Sequence, residues 1–377
     1  MKIAIIGCGF AGIASALFLA KDNKNSIEIF DKFSEVKTVG AGIMIQPSSM
    51  EVLKKLDLYE SLLEHGEKIY ALEGFNNYHE QIFGTYYHDY SPEAFGIGIH
   101  RATLFDTLHQ KCLDYPNVKI HLNIEVENLD QLKLDYDLVI ISNGSHSTLR
   151  SKLPIKQTYK IYPYGCLWTT FEEEKVIKNR LLQYVKYSQE MFGLLPSGKK
   201  DGKRILSAFW SMPIKEKDFY NKDYILERMG EYHNKETIKK IGEKDFAFAM
   251  YADVWMEKYN HENVVVLGDA AHGMSPQLGQ GANMALIDAY YLYSVLDRNN
   301  INKSLAYYSK VRTEHLKFYK QASQFLTPLF QSDNWVYGWF RDKLFSISLK
   351  FKWSRKISSS ILCGKRISWF NKKEINL

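Results

Sequence analysis

The sequence predicts an α/β protein in which a parallel-sheet domain is interrupted by a β-rich domain and followed by C-terminal helices. Buried strands at 2–6 and 26–31 flank a helix at 11–22, which makes a βαβ opening. Residues 164–213 instead contain short aromatic β-like runs separated by turn residues, a pattern typical of an antiparallel sheet. A buried strand at 263–267 then returns to the first pattern, so the two domains are interleaved.

The other elements are assigned from periodicity and caps. Further strands are predicted at 118–129 and 137–144, and helical stretches at 48–58, 101–114, 222–242 and 283–330. The expected division is a discontinuous domain at 1–160 and 251–325, a β-sheet domain at 161–250, and a basic helical segment at 326–377.

The composition excludes several classes of protein. Apolar residues make up 45% of the 377 residues, enough for a substantial core. The four cysteines form no CxxC pair, so neither a zinc site nor a disulfide framework is predicted, and a reducing cytosol is favoured. No apolar run reaches the roughly 18 residues that span a bilayer. Glycines at 7, 9 and 12 break the N-terminal apolar stretch, which indicates folded structure and not a signal peptide.

The net charge of +6 is concentrated near the C-terminus. Residues 341–373 contain ten Lys and Arg against one Asp, which leaves the rest of the chain net negative. Because the basic residues are not spread over the fold, nucleic acid is not a predicted partner.

The first strand ends in the motif Gly7-x-Gly9-x-x-Gly12, and Asp31 ends the second strand. Gly7 permits a tight turn, Gly9 lets the backbone approach a pyrophosphate, and Gly12 lets the helix pack close to the sheet. The free N–H groups at the helix N-terminus favour phosphate. A carboxylate at Asp31 accepts hydrogen bonds from ribose hydroxyls. The motif therefore predicts a dinucleotide site without separating FAD from NAD.

A second glycine-rich window decides between the two dinucleotides. GDAAHGMSPQLGQGANMALIDA (268–289) resembles the second FAD signature of the single-component (class A) aromatic hydroxylases of the p-hydroxybenzoate hydroxylase type. The resemblance implies that Asp269 binds a ribityl hydroxyl and that Pro276 lies beside the flavin ring. It also implies that the 279–281 loop offers backbone N–H groups to the pyrimidine edge. The helix opening near Asn283 would direct its positive end at the charge of reduced flavin.

Three weaker windows complete the predicted FAD site. GAGIMIQPSS (40–49) resembles the family's flexible segment beside the flavin, with Ser48 where Asn is usual. HRATLFDTL (100–108) resembles the helix whose Arg reaches the cofactor. SNGSHSTLR (142–150) resembles the third signature, which the family links to both FAD and the nicotinamide donor, with Asn143 replacing Asp. The predicted cofactor-binding residues are Gly7, Gly9, Ala11, Gly12, Asp31, Lys32, Gly42, Ile43, Arg101, Val126, Asp269, Pro276, Gly279, Gln280, Gly281 and Asn283.

The resemblance implies an FAD-dependent monooxygenase. Tightly bound, non-covalent FAD, with NADPH or NADH as transient reductant and O2, would hydroxylate an aromatic or electron-rich small molecule through a flavin C4a-hydroperoxide. The 161–250 domain and part of the segment near 70–100 would face the substrate. No metal site and no catalytic side chain are assigned, although Pro276 and Gly281 would lie beside the ring. His272 is predicted to be a structural hydrogen bonder.

Other functions remain open on the same residues. A flavin halogenase would show a WxWxIP motif, where this chain has FWSMP at 209–213. A prenyl-chain reductase of the same superfamily fits the apolar tail. From a different class, the chain could be a non-catalytic flavin redox sensor.

The C-terminal stretch at 326–370 looks like the tail of the ubiquinone-biosynthesis hydroxylase branch, with Trp, Phe and Leu interleaved with Lys and Arg. Such a stretch either lies on an anionic membrane surface or packs as an ordinary helix pair with a solvated basic face. A cytoplasmic protein is expected, with or without peripheral membrane contact. The oligomeric state is left open.

Overall fold

The computed structural model describes residues 1–35, 40–174, 177–369 and 373–377. Within these ranges the strands are β1 Lys2–Ile6, β2 Ser26–Phe30, β3 Gly42–Ile45, β4 Glu67–Ile69, β5 Ala71–Asn76, β6 Gln81–Tyr86, β7 Gly96–His100, β8 Val118–His121, β9 Leu138–Ile141, β10 Gln157–Glu172, β11 Arg180–Lys186, β12 Glu190–Lys200, β13 Lys203–Pro213, β14 Ala247–Met256, β15 Asn260–His261 and β16 Val264–Val266.

Helices alternate with the strands in both halves of the chain. They are α1 Phe10–Ala20, α2 Pro47–Lys55, α3 Tyr59–His65, α4 Arg101–Leu113, α5 Leu129–Asp135, α6 Lys222–Gly230, α7 Lys235–Gly242, α8 Asp269–His272, α9 Gly281–Val295, α10 Ile301–Phe330, α11 Trp335–Ser348 and α12 Lys352–Leu362.

A six-stranded sheet carries the dinucleotide motif, in the order β15-β16-β9-β1-β2-β8. The pairs from β16 to β8 are parallel. The apolar runs of β1, β9 and β16 are almost wholly buried, as a parallel sheet covered on both faces requires. Helix α1 packs against α9, where Phe18 stacks on Tyr293. This sheet confirms the predicted Rossmann-like part of the fold.

A seven-stranded sheet forms the β-rich part, in the order β14-β10-β13-β12-β11-β5-β6. The four strands predicted between 164 and 213 pair antiparallel, as expected. The sheet as a whole is mixed because β11 pairs parallel with β5. It also recruits β5 and β6 and the 251–256 part of β14 from outside the predicted insert, through long-range backbone pairing that local patterns do not encode. The expected domain boundaries stay a proposal.

Some predicted elements have different ends. The strand expected at 118–129 stops at His121, since Asn123 takes a positive φ of 58° that an extended strand does not allow. The helical stretch expected at 222–242 is two helices, because the Asn234 side chain accepts the Thr237 N–H and starts α7. The four cysteines are free and buried. In the described part of the chain, no helix has the length and apolar character needed to cross a membrane.

Candidate functional site

The glycine loop between β1 and α1 leaves space in one place and none in the others. Gly7 has a φ of 103° and lies against Asn143, so it makes the tight turn. A methyl group added at Gly12 would lie 2.0 Å from the Gly7 carbonyl oxygen. A methyl group at Gly9 would meet no atom within 4 Å. Gly9 is therefore the position of the loop open to a ligand.

Asp31 is held beside this loop by two backbone hydrogen bonds. Its Oδ2 accepts the Cys8 N–H at 2.7 Å, and its Oδ1 accepts the Phe33 N–H at 3.0 Å. Each carboxylate oxygen keeps a lone pair for a further donor. Of the other two residues predicted on this side, Val126 is half-buried, and the Lys32 ammonium lies 5.5 Å from the Phe33 ring centre.

The second glycine-rich window lies against the start of α1. A methyl group at Gly268 would lie 2.9 Å from the Ala11 Cβ. The next residue, Asp269, is exposed at the start of α8. Its Oδ1 lies 3.7 Å from the Cβ position of Gly281, the first residue of α9. The structure thus brings residues 268–269 to the beginnings of α1 and α9, whose first residues are 271 positions apart in sequence.

Asn283 uses its side chain to hold the loop and not to reach outward. Its Nδ2 donates to the Met44 and Gly279 carbonyls, and its Oδ1 accepts the Gln46 N–H at 2.9 Å. Both amide N–H donors and one acceptor lone pair are used, and the residue is fully buried. A cofactor contact at Asn283 would therefore be through its backbone N–H. Pro276 and Gly279 lie exposed on the same loop.

Two serines hold the predicted flavin-side strand β3 against the seven-stranded sheet. The Gly42 N–H donates to Ser207 Oγ at 2.6 Å, and Ser207 Oγ lies 2.7 Å from Ser197 Oγ. A methyl group at Gly42 would lie 1.9 Å from Ser197 Oγ, so no side chain fits there. Ile43 pairs with Ile99. Sequence reasoning missed this contact because Gly42 and Ser207 are 165 residues apart in the chain.

Two arginines from the weaker sequence windows, Arg101 and Arg150, lie next to the glycine loop and the second window. The Arg101 guanidinium lies 5.4 Å from the centre of the Phe10 ring, at the first residue of α1. The Arg101 backbone N–H donates to the Ala41 carbonyl. Arg150, from the third window, donates to the Ala270 carbonyl at 2.9 Å. Arg101 is therefore placed beside the glycine loop, while Arg150 supports the turn that carries Asp269.

A buried charged network stands behind Asp269, and sequence reasoning missed it. Asp288 accepts the Gly268 N–H at 2.8 Å, contacts His272 Nε2 at 2.6 Å and accepts from Arg312 Nε at 2.7 Å. Burial alone would raise the pKa of the Asp288 carboxyl, but His272 and Arg312 lower it below its usual range. His272 is a structural hydrogen bonder, as predicted, and Asp288 is its partner. The signal was a lone acid within the apolar helix α9.

The network continues to the C-terminal part of the chain through His315. Arg312 Nη1 lies 2.6 Å from His315 Nδ1, and His315 Nε2 lies 3.0 Å from the Gly364 carbonyl oxygen. Because arginine only donates, Nδ1 accepts and the proton sits on Nε2. Burial, followed by the Arg312 charge, lowers the pKa of His315 well below its usual value. The folded protein therefore holds a neutral imidazole here.

This neutral His315 makes the protein acid-sensitive. The unfolded chain protonates His315 below about pH 6.5 while the folded state does not, so the free energy of unfolding is expected to fall as the pH drops, by up to about 1.4 kcal/mol per pH unit. Denaturant unfolding between about pH 7 and about pH 5 measures the slope. His315→Gln, which keeps one donor and one acceptor, should flatten it. Burial also lowers the pKa values of His100 and His233, which leave a residual slope. If the free energy of unfolding of His315→Gln fell with pH as steeply as that of wild type, His315 would not be the source of the acid sensitivity.

Four consecutive backbone carbonyls at and just after the end of α12 accept hydrogen bonds from residues near the second glycine-rich window. Ile361 accepts from the Tyr319 hydroxyl, Leu362 from Gln280 Nε2 at 2.8 Å, Cys363 from the Ser48 N–H, and Gly364 from His315. We call residues 361–364 the carbonyl clamp. The Gln280 side chain is buried and its Nε2 donates to this clamp, so the predicted cofactor contact of Gln280 would be through its backbone N–H.

The residues present fit FAD. Helices α1 and α9 both begin without a side-chain cap or an acidic residue in the first turn, so their first N–H groups are free for a phosphate or a ring edge. Space is open at Gly9 and at Gly279. No described residue makes a hydrogen bond to the Asp269 carboxylate, which lies beside the start of α9.

Comparisons with known proteins agree with this geometry. Residues 93–316 match the family model described as FAD binding domain. The FAD-dependent monooxygenase ausM of Penicillium brasilianum is 26% identical over 356 residues, covering 80% of this chain and 70% of that protein. The aurachin C monooxygenase/isomerase of Stigmatella aurantiaca is 26% identical and covers 91% and 93% of the two chains.

A solved structure shows the same fold. The p-nitrophenol 4-monooxygenase PnpA from Pseudomonas putida DLL-E4 superposes with a TM-score of 0.77 at 15% identity, covering 97% of this chain and 98% of its own. The family match extends over more than half of the chain and includes the second window. The chain therefore belongs to the FAD binding domain family, among the flavin-dependent monooxygenases.

Proposed function

We propose that this protein hydroxylates an aromatic or similarly electron-rich small molecule, using FAD, a nicotinamide donor and O2. The observation that carries the proposal is the position of residues 268–269: Gly268 lies against Ala11 at the start of α1, and Asp269 lies against Gly281 at the start of α9. Both helix ends are uncapped, and space is open at Gly9. Such an arrangement suits a long anionic cofactor with a flat ring at one end.

Each part of the chain has a defined task in this proposal. The start of α1 binds the pyrophosphate through backbone N–H groups, and Asp31 accepts hydrogen bonds from the ribose. Asp269 orients the ribityl chain. The start of α9 stabilises negative charge at the ring edge. FAD, when bound, takes electrons from the nicotinamide donor and activates O2.

The seven-stranded sheet supplies the substrate wall in this proposal. Its β3-facing side is joined to the cofactor side through Ser207 and Gly42. Strands β10, β12 and β13 bury many apolar and aromatic side chains, and such a lining excludes water from the reacting atoms. The names of one relative, an aurachin C monooxygenase/isomerase, and of one structural neighbour, a p-nitrophenol 4-monooxygenase, support an aromatic substrate class.

The reductant is proposed to bind transiently. The sequence has one glycine fingerprint of the dinucleotide type, which the proposal assigns to FAD. Asn143, in the third window, lies directly against Gly7. It keeps a hydrogen-bonding amide but no charge, so it favours neither NADH nor NADPH by repulsion.

The test is a screen of aromatic compounds for faster NAD(P)H oxidation and O2 uptake by the FAD-loaded protein. We expect at least one class of phenol or aromatic amine to stimulate both rates and to yield a hydroxylated product by mass spectrometry. The matched variant is Asp269→Ala, for which loss of one charge-assisted hydrogen bond should weaken FAD binding by roughly 10–150-fold.

Three results would overturn the proposal. A halogenase would leave NAD(P)H unoxidised until a separate flavin reductase was added. A redox sensor would bind FAD and show no substrate-stimulated turnover. Equal turnover by wild type and Asp269→Ala at limiting FAD would separate the activity from the proposed site.

A further inference from the structure

Helix α11 carries an apolar stripe on its outer side. Trp335, Trp339, Phe340, Leu344 and Ile347 recur at helical spacing, and all are exposed, with Trp335 at 57% and Trp339 at 53%. Isolated exposed apolar residues are common on protein surfaces, but a contiguous aromatic stripe marks an interaction site. The apolar side of this helix therefore faces solvent, whereas most surface helices turn their apolar side toward the protein core.

The opposite side of α11 fixes this orientation. Arg341 is 0% exposed, and its Nη1 donates to the Tyr187 carbonyl at 2.7 Å and the Leu329 carbonyl at 2.8 Å. It also pairs with Asp342 at 2.7 Å. Gly338 lies so close to the 187–188 backbone that an added methyl group would be 2.3 Å from the Tyr187 carbonyl carbon. Turning α11 to bury its tryptophans would break all of these contacts, so their exposure is built into the fold.

The apolar stripe is bordered by positive charge. Phe351 and Trp353, in and beside the turn after α11, are also exposed, Trp353 at 66%. Exposed lysines accompany the stripe and the turn: Lys343, Lys350, Lys352 and Lys356. Between 334 and 373 the sequence contains one acidic residue, Asp342, and it is paired with Arg341. The surface formed by α11 and residues 349–356, which we call the aromatic–lysine face, is therefore strongly positive.

Exposed apolar side chains bordered by lysines favour one kind of binding partner for this face. A second copy of the chain, paired symmetrically through the same face, would bring the lysines of both copies together without neutralising them. An anionic bilayer offers apolar depth for Trp, Phe, Leu and Ile, and phosphates for the lysines. Tryptophan in particular favours the boundary between headgroups and acyl chains.

We propose that the aromatic–lysine face docks on the surface of an anionic lipid bilayer. The helix lies parallel to the membrane plane, the apolar stripe enters the region between headgroups and acyl chains, and the lysines contact lipid phosphates. The proposal goes beyond the proposed enzymatic function and does not depend on it, because it concerns binding alone.

The test is co-sedimentation of the FAD-loaded protein with vesicles of phosphatidylcholine, and with vesicles of phosphatidylcholine mixed with phosphatidylglycerol. We expect binding to the mixed vesicles that weakens as salt is raised. Trp339→Gln with Leu344→Gln removes apolar area and should lower partitioning roughly tenfold or more. Lys350→Glu with Lys352→Glu should lower it by a similar factor and remove most of the salt dependence.

The matched control is Phe219→Gln, a change of an 84% exposed aromatic residue outside the aromatic–lysine face, which should leave partitioning unchanged. Because all of the substituted side chains are exposed, circular dichroism should show each variant folded. Unchanged partitioning in both double variants would overturn the proposal. So would a stable dimer by sedimentation velocity that Trp339→Gln with Leu344→Gln dissociates, together with no vesicle binding, since that result would assign the face to a second copy.

Discussion

Gly9→Ala is expected to give a folded protein that has lost FAD. The new methyl group meets no protein atom within 4 Å, and Gly9 has a φ of −87° and a ψ of −173°, an extended conformation that alanine adopts without strain. The methyl group would project into the space proposed for the pyrophosphate at the start of α1. We expect FAD to bind at least about 100-fold more weakly, a loss of about 2.7 kcal/mol or more.

The measurement is FAD titration of apoprotein by flavin fluorescence, with thermal unfolding as the check on folding. Gly230→Ala is the matched control, because Gly230 ends α6 far along the chain and an added methyl group also meets nothing within 4 Å. It should bind FAD like wild type. If Gly9→Ala retained wild-type affinity, the glycine loop would not be the pyrophosphate site.

Asp288→Ala is expected to destabilise the whole protein, by about 3–5 kcal/mol in the free energy of unfolding. Arg312 is fully buried and would keep its charge without a carboxylate. His272 and the Gly268 N–H would also lose their partner. Because Gly268 precedes Asp269, we expect weaker FAD binding in any protein that still folds. Urea unfolding of the apoprotein measures the first effect.

Asp22→Ala is the control for the second prediction. Asp22 pairs with Arg298 at the surface, where both side chains are about a third or more exposed, so its loss should cost much less stability than the loss of Asp288. Replacing the buried pair together, as Asp288→Leu with Arg312→Met, should recover part of the stability because no unpaired charge remains. Equal losses in Asp22→Ala and Asp288→Ala would show that the buried network contributes little.

The parts of the molecule that the sequence predicts well are those with a local cause. The strand, glycine loop and helix from Lys2 to Ala20 follow from a buried apolar run, a turn that requires glycine and a helical apolar pattern within twenty residues. The 268–289 window is likewise continuous in sequence, so its resemblance located Asp269 and the start of α9 before any contact between them was known.

The parts that could not be predicted depend on partners distant in the chain. Asp288 and Arg312 lie on different helices, and Ser207 of the seven-stranded sheet binds Gly42 of β3, which belongs to a separate three-stranded sheet. Neither contact produces a periodic pattern in the sequence. The aromatic–lysine face shows the same limit, because alternating Trp and Lys residues indicate a surface role but do not say which side faces the protein. Arg341, buried by its contacts with distant carbonyls, decides that orientation.

The carbonyl clamp has a consequence for how the protein is made. Gln280 receives its partner, Leu362, from a point 82 residues further along the chain. At about 5–20 residues per second, the ribosome reaches that point roughly 4–16 s after it has added Gln280. During that interval the 268–281 window has its glycines and Asp269 but not the contact that holds the buried Gln280 amide nitrogen. We therefore expect flavin to load late in biogenesis, after the downstream helices have emerged and folded back.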